Sequence, residues 1–399
     1  MLPQFWKSDD ANYAAIFALV LIPIMAGVAG VVDYVGTSND ASKLHSTLDA
    51  TAIEIATKYH DGMTNEQATE IGTAFFEGNI YDVAATSDFL AEVAIVGGMT
   101  EVSASATIHH PGMIGGSKIW YAARTSVVNL IPGQPSCVLA TDPHAGSSIK
   151  IQGSTQVKMN GCVIASNSDA ADAVSRGGSA QLDAQCVSTV GGTDGLASST
   201  VHLDCPAPLV KQYASRDPLL GVNPPAYTAC KSMPAGNKKT LSPATYCDKT
   251  WSGDVTLDPG IYILRGGQIK LGGNGRLTGA GVTIFLMEGA KFVSNANEVI
   301  KLSPPTSGPY AGITIFQDRG NTSAVNVNGG AGSMVTGFIY APSADVFYAG
   351  NSTMTGDGEC IRIVGKTVEM TGNSSVSSNC EAALGGRKMT TGQHIVLVK

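Results

Sequence analysis

Residues 14–32 read AAIFALVLIPIMAGVAGVV, nineteen consecutive positions without a charged side chain. At about 1.5 Å of rise per helical residue, this stretch comes close to the roughly 30 Å thickness of a bilayer's hydrocarbon core. The residues after it are much more polar. The pattern therefore predicts a short amino-terminal tail, one transmembrane helix and a large exported body.

A cleaved signal peptide is the alternative interpretation, because the small residues around Ala29 could be a cleavage site. The apolar run is longer than the usual signal core of about 7 to 15 residues, and the tail carries only Lys7 against Asp9 and Asp10. These features favour the membrane anchor. Pro23 and Gly30 are compatible with it, since neighbouring groups can satisfy the freed backbone in lipid.

Length and composition limit the class of protein. The 399 residues can form two or three domains, the net charge is −7, and lysine and arginine are spread along the chain, so we expect no nucleic-acid partner. The 47 glycines, with many serines, threonines and asparagines, indicate short strands joined by tight turns.

All eight cysteines lie well beyond the apolar stretch. An even number confined to one side of a membrane segment predicts disulfides in an oxidising compartment, here the periplasm. Proximity in sequence suggests four pairs: Cys137 with Cys162, Cys186 with Cys205, Cys230 with Cys247, and Cys360 with Cys380. The chain has no Cys-x-x-Cys or Cys-x-x-His, so we expect no zinc site. It also has no Walker A or Gly-x-Gly-x-x-Gly motif, and we expect no cofactor.

An amphipathic pattern follows the apolar stretch over residues 39–59. Its apolar positions recur at spacings of three and four, as on one face of a helix: Leu44, Leu48, Ala52, Ile55 and Tyr59. If the two segments are continuous they form a rod of roughly 70 Å. Two helices hinged near Gly36 are the alternative.

A set of polar and apolar positions in the same region forms a recognisable pattern: Asp10, Asn12, Phe17, Pro23, Gly30, Asp33, Tyr34, Leu44 and Asp49. It resembles the amino-terminal region of TadE/TadG-like proteins, which assemble the Flp (tight-adherence) pilus of bacteria. The resemblance covers about the first 55 residues. It implies a single-pass protein of the inner membrane, a body in the periplasm or at the cell surface, and other pilus-assembly or pilin-like proteins as partners.

Two departures from the family refine this expectation. Prepilin-like members carry a Glu five residues after the cleavage site, and a cut after Ala11 would place Ile16 there. The chain also lacks the Asp-x-Ser-x-Ser loop of TadG adhesion domains. The missing Glu favours an accessory component over a major pilin subunit.

Residues 37–131 are predicted to form the amphipathic helix and a small pilin-like α+β module, after an anchor domain of residues 1–36. Thr64 and Gln67 make a capping box at the start of a helix over residues 64–76, and strands follow at 91–96, 101–108 and 119–130. His109 and His110 precede Pro111 and Gly112, which predicts a surface turn and not a metal site.

After a linker that contains Pro132 and Gly133, the residue pattern changes to a Gly-rich repeat. Segments beginning near residues 149, 268, 346 and 367 each pair a short alternating strand with a Gly and a small polar residue, a repeat of about twenty residues. Units this short need stacking to bury an apolar face, so residues 132–399 are predicted to form a right-handed β-helix, or β-solenoid. A β-sandwich is the alternative. Asn274, Asn351 and Asn373 occupy turn positions, and a Pro- and Cys-rich insertion interrupts the repeat at about 187–251.

The sequence beyond residue 136 contains no Asp-Asp or Asp-x-Asp pair that could supply the acid and base of a polysaccharide-cleaving site. The candidate carboxylates come from different strands or turns: Asp254, Asp258, Asp318, Asp345 and Asp357. Six aromatic residues could form a sugar-stacking surface, although their strand spacing places most in a core: Tyr310, Phe316, Phe338, Tyr340, Phe347 and Tyr348.

The sequence therefore predicts a mainly β, membrane-anchored and non-enzymatic component of pilus assembly or envelope adhesion. The inner membrane and other pilus-assembly proteins are its expected partners, and a surface glycan is a further candidate. A tethered β-helix lyase or hydrolase acting on polysaccharide is the alternative function.

Overall fold

The computed structural model describes residues 9–60, 62–80, 88–96, 99–111, 119–131, 133–227, 229–330, 332–350, 360–371, 375–376, 386–387, 389–392 and 394–398. The chain divides into two compact units. Unit 1 is Met1–Ile131 with Ile395–Lys399, and unit 2 is Pro132–His394. The sequence-based boundaries had assigned residues 395–399 to the second domain.

The described residues of unit 1 form two helices and four strands. In chain order its first elements are α1 (Asp9–Lys58), α2 (Asn65–Asn79), β1 (Leu90–Val96), β2 (Met99–Pro111) and β3 (Ile119–Ile131). The strands β1, β2 and β3 pair antiparallel, and a strand near the carboxyl end, His394–Val398, joins the sheet beside β3.

The core of unit 1 lies between α1, α2 and this sheet. Leu44, Leu48, Ala52 and Ile55 are fully buried there, as the helical periodicity predicts. The predicted capping box also forms: the Thr64 hydroxyl accepts from the backbone N–H of Gln67, and the Thr64 N–H donates to the Gln67 side chain.

Two expectations for this unit are settled by the helix and strand limits. The anchor and the amphipathic segment form one continuous helix of 50 residues, so the hinge near Gly36 was the wrong alternative. His109 and His110 lie in β2, opposite Tyr121 and Trp120 in β3, and not in a turn. Antiparallel pairing to β3 extends the strand to Pro111.

Unit 2 consists of short strands. In chain order they are β4 (Ser136–Ala140), β5 (Ile149–Ile151), β6 (Gln156–Ser166), β7 (Val174–Arg176), β8 (Gln181–Thr189), β9 (Thr193–Asp194), β10 (Val201–Leu203), β11 (Lys238–Leu241), β12 (Ala244–Cys247), β13 (Thr250–Trp251), β14 (Asp254–Leu257), β15 (Gly260–Arg265), β16 (Gln268–Ile269), β17 (Arg276–Gly279), β18 (Val282–Met287), β19 (Lys291–Val293), β20 (Val299–Leu302), β21 (Ile313–Gln317), β22 (Val325–Gly329), β23 (Met334–Val335), β24 (Gly337–Ala341), β25 (Val346–Gly350), β26 (Ile361–Gly365), β27 (Val368–Met370) and β28 (Ser375–Val376). The strand His394–Val398 of unit 1 is β29.

These strands form three parallel sheets, of eleven, nine and five strands. Successive strands of the chain fall in successive sheets: β14 is in the five-stranded sheet, β15 in the eleven-stranded sheet and β16 in the nine-stranded sheet, and β17 returns to the first. Val255 pairs with Leu277 and Leu277 with Ile300, steps of 22 and 23 residues. Side chains from all three sheets share one buried core, with Leu277, Ile284 and Phe292 as examples.

The order of strands within the sheets differs from their order in the chain. In the eleven-stranded sheet, β26 lies between β24 and β4, and in the nine-stranded sheet β27 pairs with β5. The strands β4–β10 are the first of unit 2 in the chain. They therefore stack next to β26 and β27, which are among its last strands. The chain must return from β10 to β11, at the opposite end of the stack.

Residues 204–237 make this connection, and we call them the return segment. They contact strands of the eleven-stranded sheet in spatial order: Leu209 bridges Ser188 in β8, Ser215 bonds Asn167 after β6, and Cys230 bridges Thr245 in β12. Leu219 and Val222 bury the second face of the sheet, together with Phe285, Phe316 and Phe338.

The structure confirms a mainly β chain with an amino-terminal apolar helix and parallel sheets; right-handed coiling into a solenoid stays a prediction. The predicted insertion at 187–251 is too long, because its ends form the last part of β8 and the strands β9–β13. The irregular part is the return segment. Six of the seven prolines that suggested the insertion fall within it, and Pro243 alone lies between two strands.

Candidate functional site

The first part of α1 presents apolar side chains with no protein packed on them. Phe17, Leu19 and Ile22 are 69%, 72% and 70% exposed. Exposure of such apolar side chains to water is energetically unfavourable. By length and composition α1 is long and apolar enough to cross a membrane. Further along the same helix, the side chains are buried in the core of unit 1. One helix thus joins an unpacked apolar surface to a folded unit.

The family-like positions are distributed along α1. Asp10 and Asn12 lie in its first turns and Pro23 in its interior, while Gly30 has open space around its Cα. Asp33 is only 5% exposed, whereas the neighbouring Tyr34 is 75% exposed.

The last two family-like positions lie in the packed part of α1. Leu44 is fully buried, and Asp49 pairs with His45 one turn earlier at 3.4 Å. The family-like positions therefore lie along one helix, whose first part is exposed and whose second part is packed in unit 1. They do not form a pocket.

The structure joins three of the predicted cysteine pairs. Their Cα atoms lie 5.7 Å apart for Cys137–Cys162, 5.4 Å for Cys186–Cys205 and 5.6 Å for Cys230–Cys247. Cys360 is also disulfide-bonded, and its predicted partner Cys380 lies outside the described residues.

Two of these disulfides hold the ends of the return segment. Cys186 in β8 binds Cys205 at its start, and Cys247 in β12 binds Cys230 near its end. The third, Cys137–Cys162, joins the neighbouring strands β4 and β6, and Arg362 donates to the Cys137 sulfur at 2.9 Å. Burial lowers the pKa of Arg362 to about 10.

The candidate carboxylates lie at different positions around unit 2. Asp254 is in β14, and Asp258 follows that strand. Asp318 follows β21 and accepts from the Gly320 N–H, and Asp345 precedes β25 and accepts from the Thr367 hydroxyl at 2.7 Å. Asp357 lies outside the described residues, as do Asn351 and Asn373, while Asn274 lies in a turn as predicted.

Within the described part of the chain, no group of three His, Cys, Asp or Glu side chains is arranged to hold a metal ion. The aromatic set is mostly core: Phe316, Phe338, Tyr340 and Tyr348 are buried, and Phe347 is 37% exposed. A stacking surface made of the whole set is therefore not present.

Sequence reasoning missed a polar cluster under the return segment. Asp217 accepts hydrogen bonds from the Tyr340 hydroxyl at 2.6 Å and from Arg319 Nε at 3.2 Å, and Arg319 also donates to the carbonyls of Leu219 and Val222. Burial, followed by the nearby Asp217 carboxylate, raises the pKa of Tyr340. Nothing in the sequence indicated this contact, because Asp217 lies in the irregular segment.

The fold and these features define a class: a chain with an apolar amino-terminal helix, whose large second unit is built of disulfide-linked parallel sheets. The comparison with protein families adds that residues 12–54 match the Tad family model, described as "Putative Flp pilus-assembly TadE/G-like". The match confirms the resemblance of the amino-terminal region and covers that region alone. No curated protein and no solved structure shows significant similarity to the chain.

Proposed function

We propose that this chain is a membrane-anchored, non-enzymatic component of Flp-type pilus assembly or of a related envelope adhesion system. In this proposal α1 anchors it in the bacterial inner membrane, and its body lies in the periplasm or at the cell surface. Unit 2, coiled as a right-handed β-solenoid, presents a structural or binding surface. Other pilus-assembly or pilin-like proteins are its partners.

The observation that carries the proposal is the position of the family match. Residues 12–54 lie wholly within α1, which runs without a break from the unpacked apolar side chains to the core of unit 1. At about 75 Å, the helix exceeds the roughly 30 Å of a bilayer core, so its second part extends beyond the lipid. Such a helix holds a folded unit at a fixed place relative to a membrane.

Two further observations support the placement and the form of the body. Disulfides persist in oxidising compartments, which favours the periplasmic side for unit 2. Parallel pairing at steps of 22 and 23 residues around one core supports stacked coils, and parallel strand crossovers are almost always right-handed.

A matched pair of variants tests the anchor. Ile22→Arg places a charge in the apolar stretch, where it costs about 2.5–3.5 kcal/mol at a membrane centre, whereas Ser38→Arg adds the same charge at an exposed position further along α1. We expect Ile22→Arg to reduce membrane-bound protein and the number of pili, and Ser38→Arg to leave both unchanged. Membrane fractionation, amino-terminal sequencing and electron microscopy of pili measure these outcomes.

Two results would overturn the proposal. The first is a soluble mature protein that begins near Gly30, together with normal piliation after deletion of the chain. The second is cleavage of a polysaccharide by the purified protein that is abolished by Asp254→Ala or Asp318→Ala, which would establish the tethered enzyme.

A further inference from the structure

The outer face of the five-stranded sheet is exposed or half-buried among the described residues of unit 2. Its strands are β11, β14, β17, β20 and β23. Val255, Leu277 and Ile300 are buried in the shared core. Because side chains alternate along a strand, the residues beside them face outward.

The outward residues form two rows across the strands. In one row Thr240 pairs with Thr256, Thr256 with Thr278, and Thr278 with Lys301. In the other, Lys238 pairs with Asp254, Arg276 follows on the next strand, and Arg276 pairs with Val299. The first row is a ladder of hydroxyl groups, and the second places a carboxylate between two cations.

The residues of both rows on β11, β14 and β17 line an open cavity of about 320 Å³, together with Lys239 and Val255. Lys238 and Arg276 flank the single carboxylate of Asp254 there, and Lys301 adds a third cation at the next strand. Among the described residues none of these four side chains forms an ion pair with another. The face is therefore locally positive in a chain whose net charge is −7.

We propose that this face binds an acidic polysaccharide. The lysine and arginine side chains would bind its carboxylate or sulfate groups, and the threonine hydroxyls and Asp254 would hydrogen-bond its sugar hydroxyls. Neighbouring strands lie about 4.8 Å apart, a spacing similar to one sugar unit in an extended chain, so successive strands can contact successive sugars. This proposal rests on the proposed role of unit 2 as a presented surface.

Asp254 distinguishes this ligand from a nucleic acid. A carboxylate at the centre of the row repels a phosphate backbone, whereas it is a good acceptor for sugar hydroxyls. The two rows also contain no aromatic side chain on which bases could stack. Sequence reasoning missed the face because its cations are far apart in the chain, and the parallel pairing brings them together.

Binding of polygalacturonate to the detergent-solubilised full-length protein, measured by calorimetry, tests the proposal. We expect Lys238→Gln/Arg276→Gln to weaken binding about tenfold or more, since two charge-assisted contacts are lost. The control Lys249→Gln/Lys291→Gln removes the same charge near the nine-stranded sheet and should leave the affinity unchanged. Neutral dextran should not bind, and salt should weaken the binding of polygalacturonate.

Asp254→Asn separates sugar recognition from simple charge attraction. If Asp254 accepts from sugar hydroxyls, the variant binds polygalacturonate more weakly; if the face only attracts anions, the variant binds it more tightly. Tighter binding, or equal affinity for duplex DNA, overturns the proposal, as does no binding at all.

Lysine acetylation of the wild-type protein gives a second measurement that needs no variant. Polygalacturonate should protect Lys238 and Lys301 and leave Lys291 reactive, and equal reactivity at all three overturns the proposal. Because these measurements use purified protein, they can fail while fractionation and piliation still support the anchored pilus component, and the reverse also holds.

Discussion

The carboxylate of Asp217 and the hydroxyl of Tyr340 form a 2.6 Å hydrogen bond across 123 residues of sequence. Arg319 donates to the same carboxylate oxygen, and its guanidinium lies 5.3 Å from the centre of the Tyr340 ring. Asp217 of the return segment thus binds Tyr340 in β24 and Arg319 just after β21, two strands of the eleven-stranded sheet. This cluster, Asp217 with Arg319 and Tyr340, holds the middle of a segment whose ends are held by disulfides.

We expect Asp217→Ala to destabilise unit 2 by about 1.5–3 kcal/mol, the usual range for a lost hydrogen bond to a charged group. Urea unfolding of the full-length protein in detergent measures the change. Asp204→Ala is the control, because Asp204 is exposed at the start of the same segment. In combination with Tyr340→Phe the effects should be less than additive, and full additivity would contradict the contact.

The stability of unit 2 should fall at alkaline pH because of Tyr340. Burial and Asp217 raise the pKa of its hydroxyl above the ordinary value of 10.0, so the unfolded chain releases this proton at a lower pH than the folded chain. The contribution of Tyr340 is complete below pH 10 and decreases above it, by up to about 1.4 kcal/mol per pH unit.

Urea unfolding of the wild type and Tyr340→Phe between about pH 9 and pH 11 measures this slope. The variant should lose less stability over that range, and the difference between the two proteins removes the contribution of other groups. The control Tyr213→Phe changes a tyrosine that is 69% exposed and should behave as the wild type does. Identical slopes for all three proteins would contradict the prediction.

Removing either disulfide of the return segment should cost about 3 kcal/mol, because each closes a loop of similar length. The pairs are Cys186–Cys205 and Cys230–Cys247, with sequence separations of 19 and 17 residues. Double serine variants and urea unfolding measure the loss. A reductant should lower the midpoint of the wild type more than that of either variant, and an unchanged midpoint in all would count against the role of these bonds.

Gly267 and Gly272 provide a matched test of close backbone packing between neighbouring strands. Both have positive φ, at 67° and 75°. A Cβ at Gly267 would lie 2.3 Å from the Lys249 carbonyl oxygen, whereas Gly272 has nothing within 4 Å. Gly272→Ala should cost about 1–2 kcal/mol for the backbone conformation alone, and Gly267→Ala clearly more. Equal losses in thermal unfolding would show that the carbonyl can move away.

The packing of α1 in unit 1 predicts a contrast between two apolar residues. Leu44 is fully buried, so Leu44→Ala should destabilise unit 1 by about 2–5 kcal/mol. Ile53 is 40% exposed on the same helix, and Ile53→Ala should cost much less. Hydrogen exchange of the β2 and β3 amides measures both effects within unit 1, and similar losses of protection would contradict the packing.

Local patterns predicted unit 1 well. The periodicity of Leu44, Leu48 and Ile55 and the capping box at Thr64 depend on residues three or four positions apart, so the sequence alone contains the information. The strands at 91–96 and 119–130 were also found within two residues of their limits. The continuity of α1 through Gly36 could not be decided, because either form satisfies the same periodicity.

Long-range pairing explains what sequence reasoning missed in unit 2. Alternation identifies a strand but not its neighbour, and nothing local distinguishes β26 beside β4 from β26 at the end of a stack. The Asp217–Tyr340 bond and the cations Lys238, Arg276 and Lys301 follow from that pairing. The cysteine pairs were easier, because each described pair joins residues that are near in sequence.

The position of β26 between β24 and β4 has a consequence for how the chain is made. β4 is synthesised early, but the strand that covers its second edge consists of residues 361–365. During synthesis β4 therefore keeps an open edge, with unpaired N–H and C=O groups, until more than half of the chain has followed it. The Cys137–Cys162 bond can form in that interval, because it joins β4 to β6, the next strand along the chain that belongs to the same sheet. Early formation of this disulfide would then keep β4 and β6 in register until β26 is synthesised and pairs with β4.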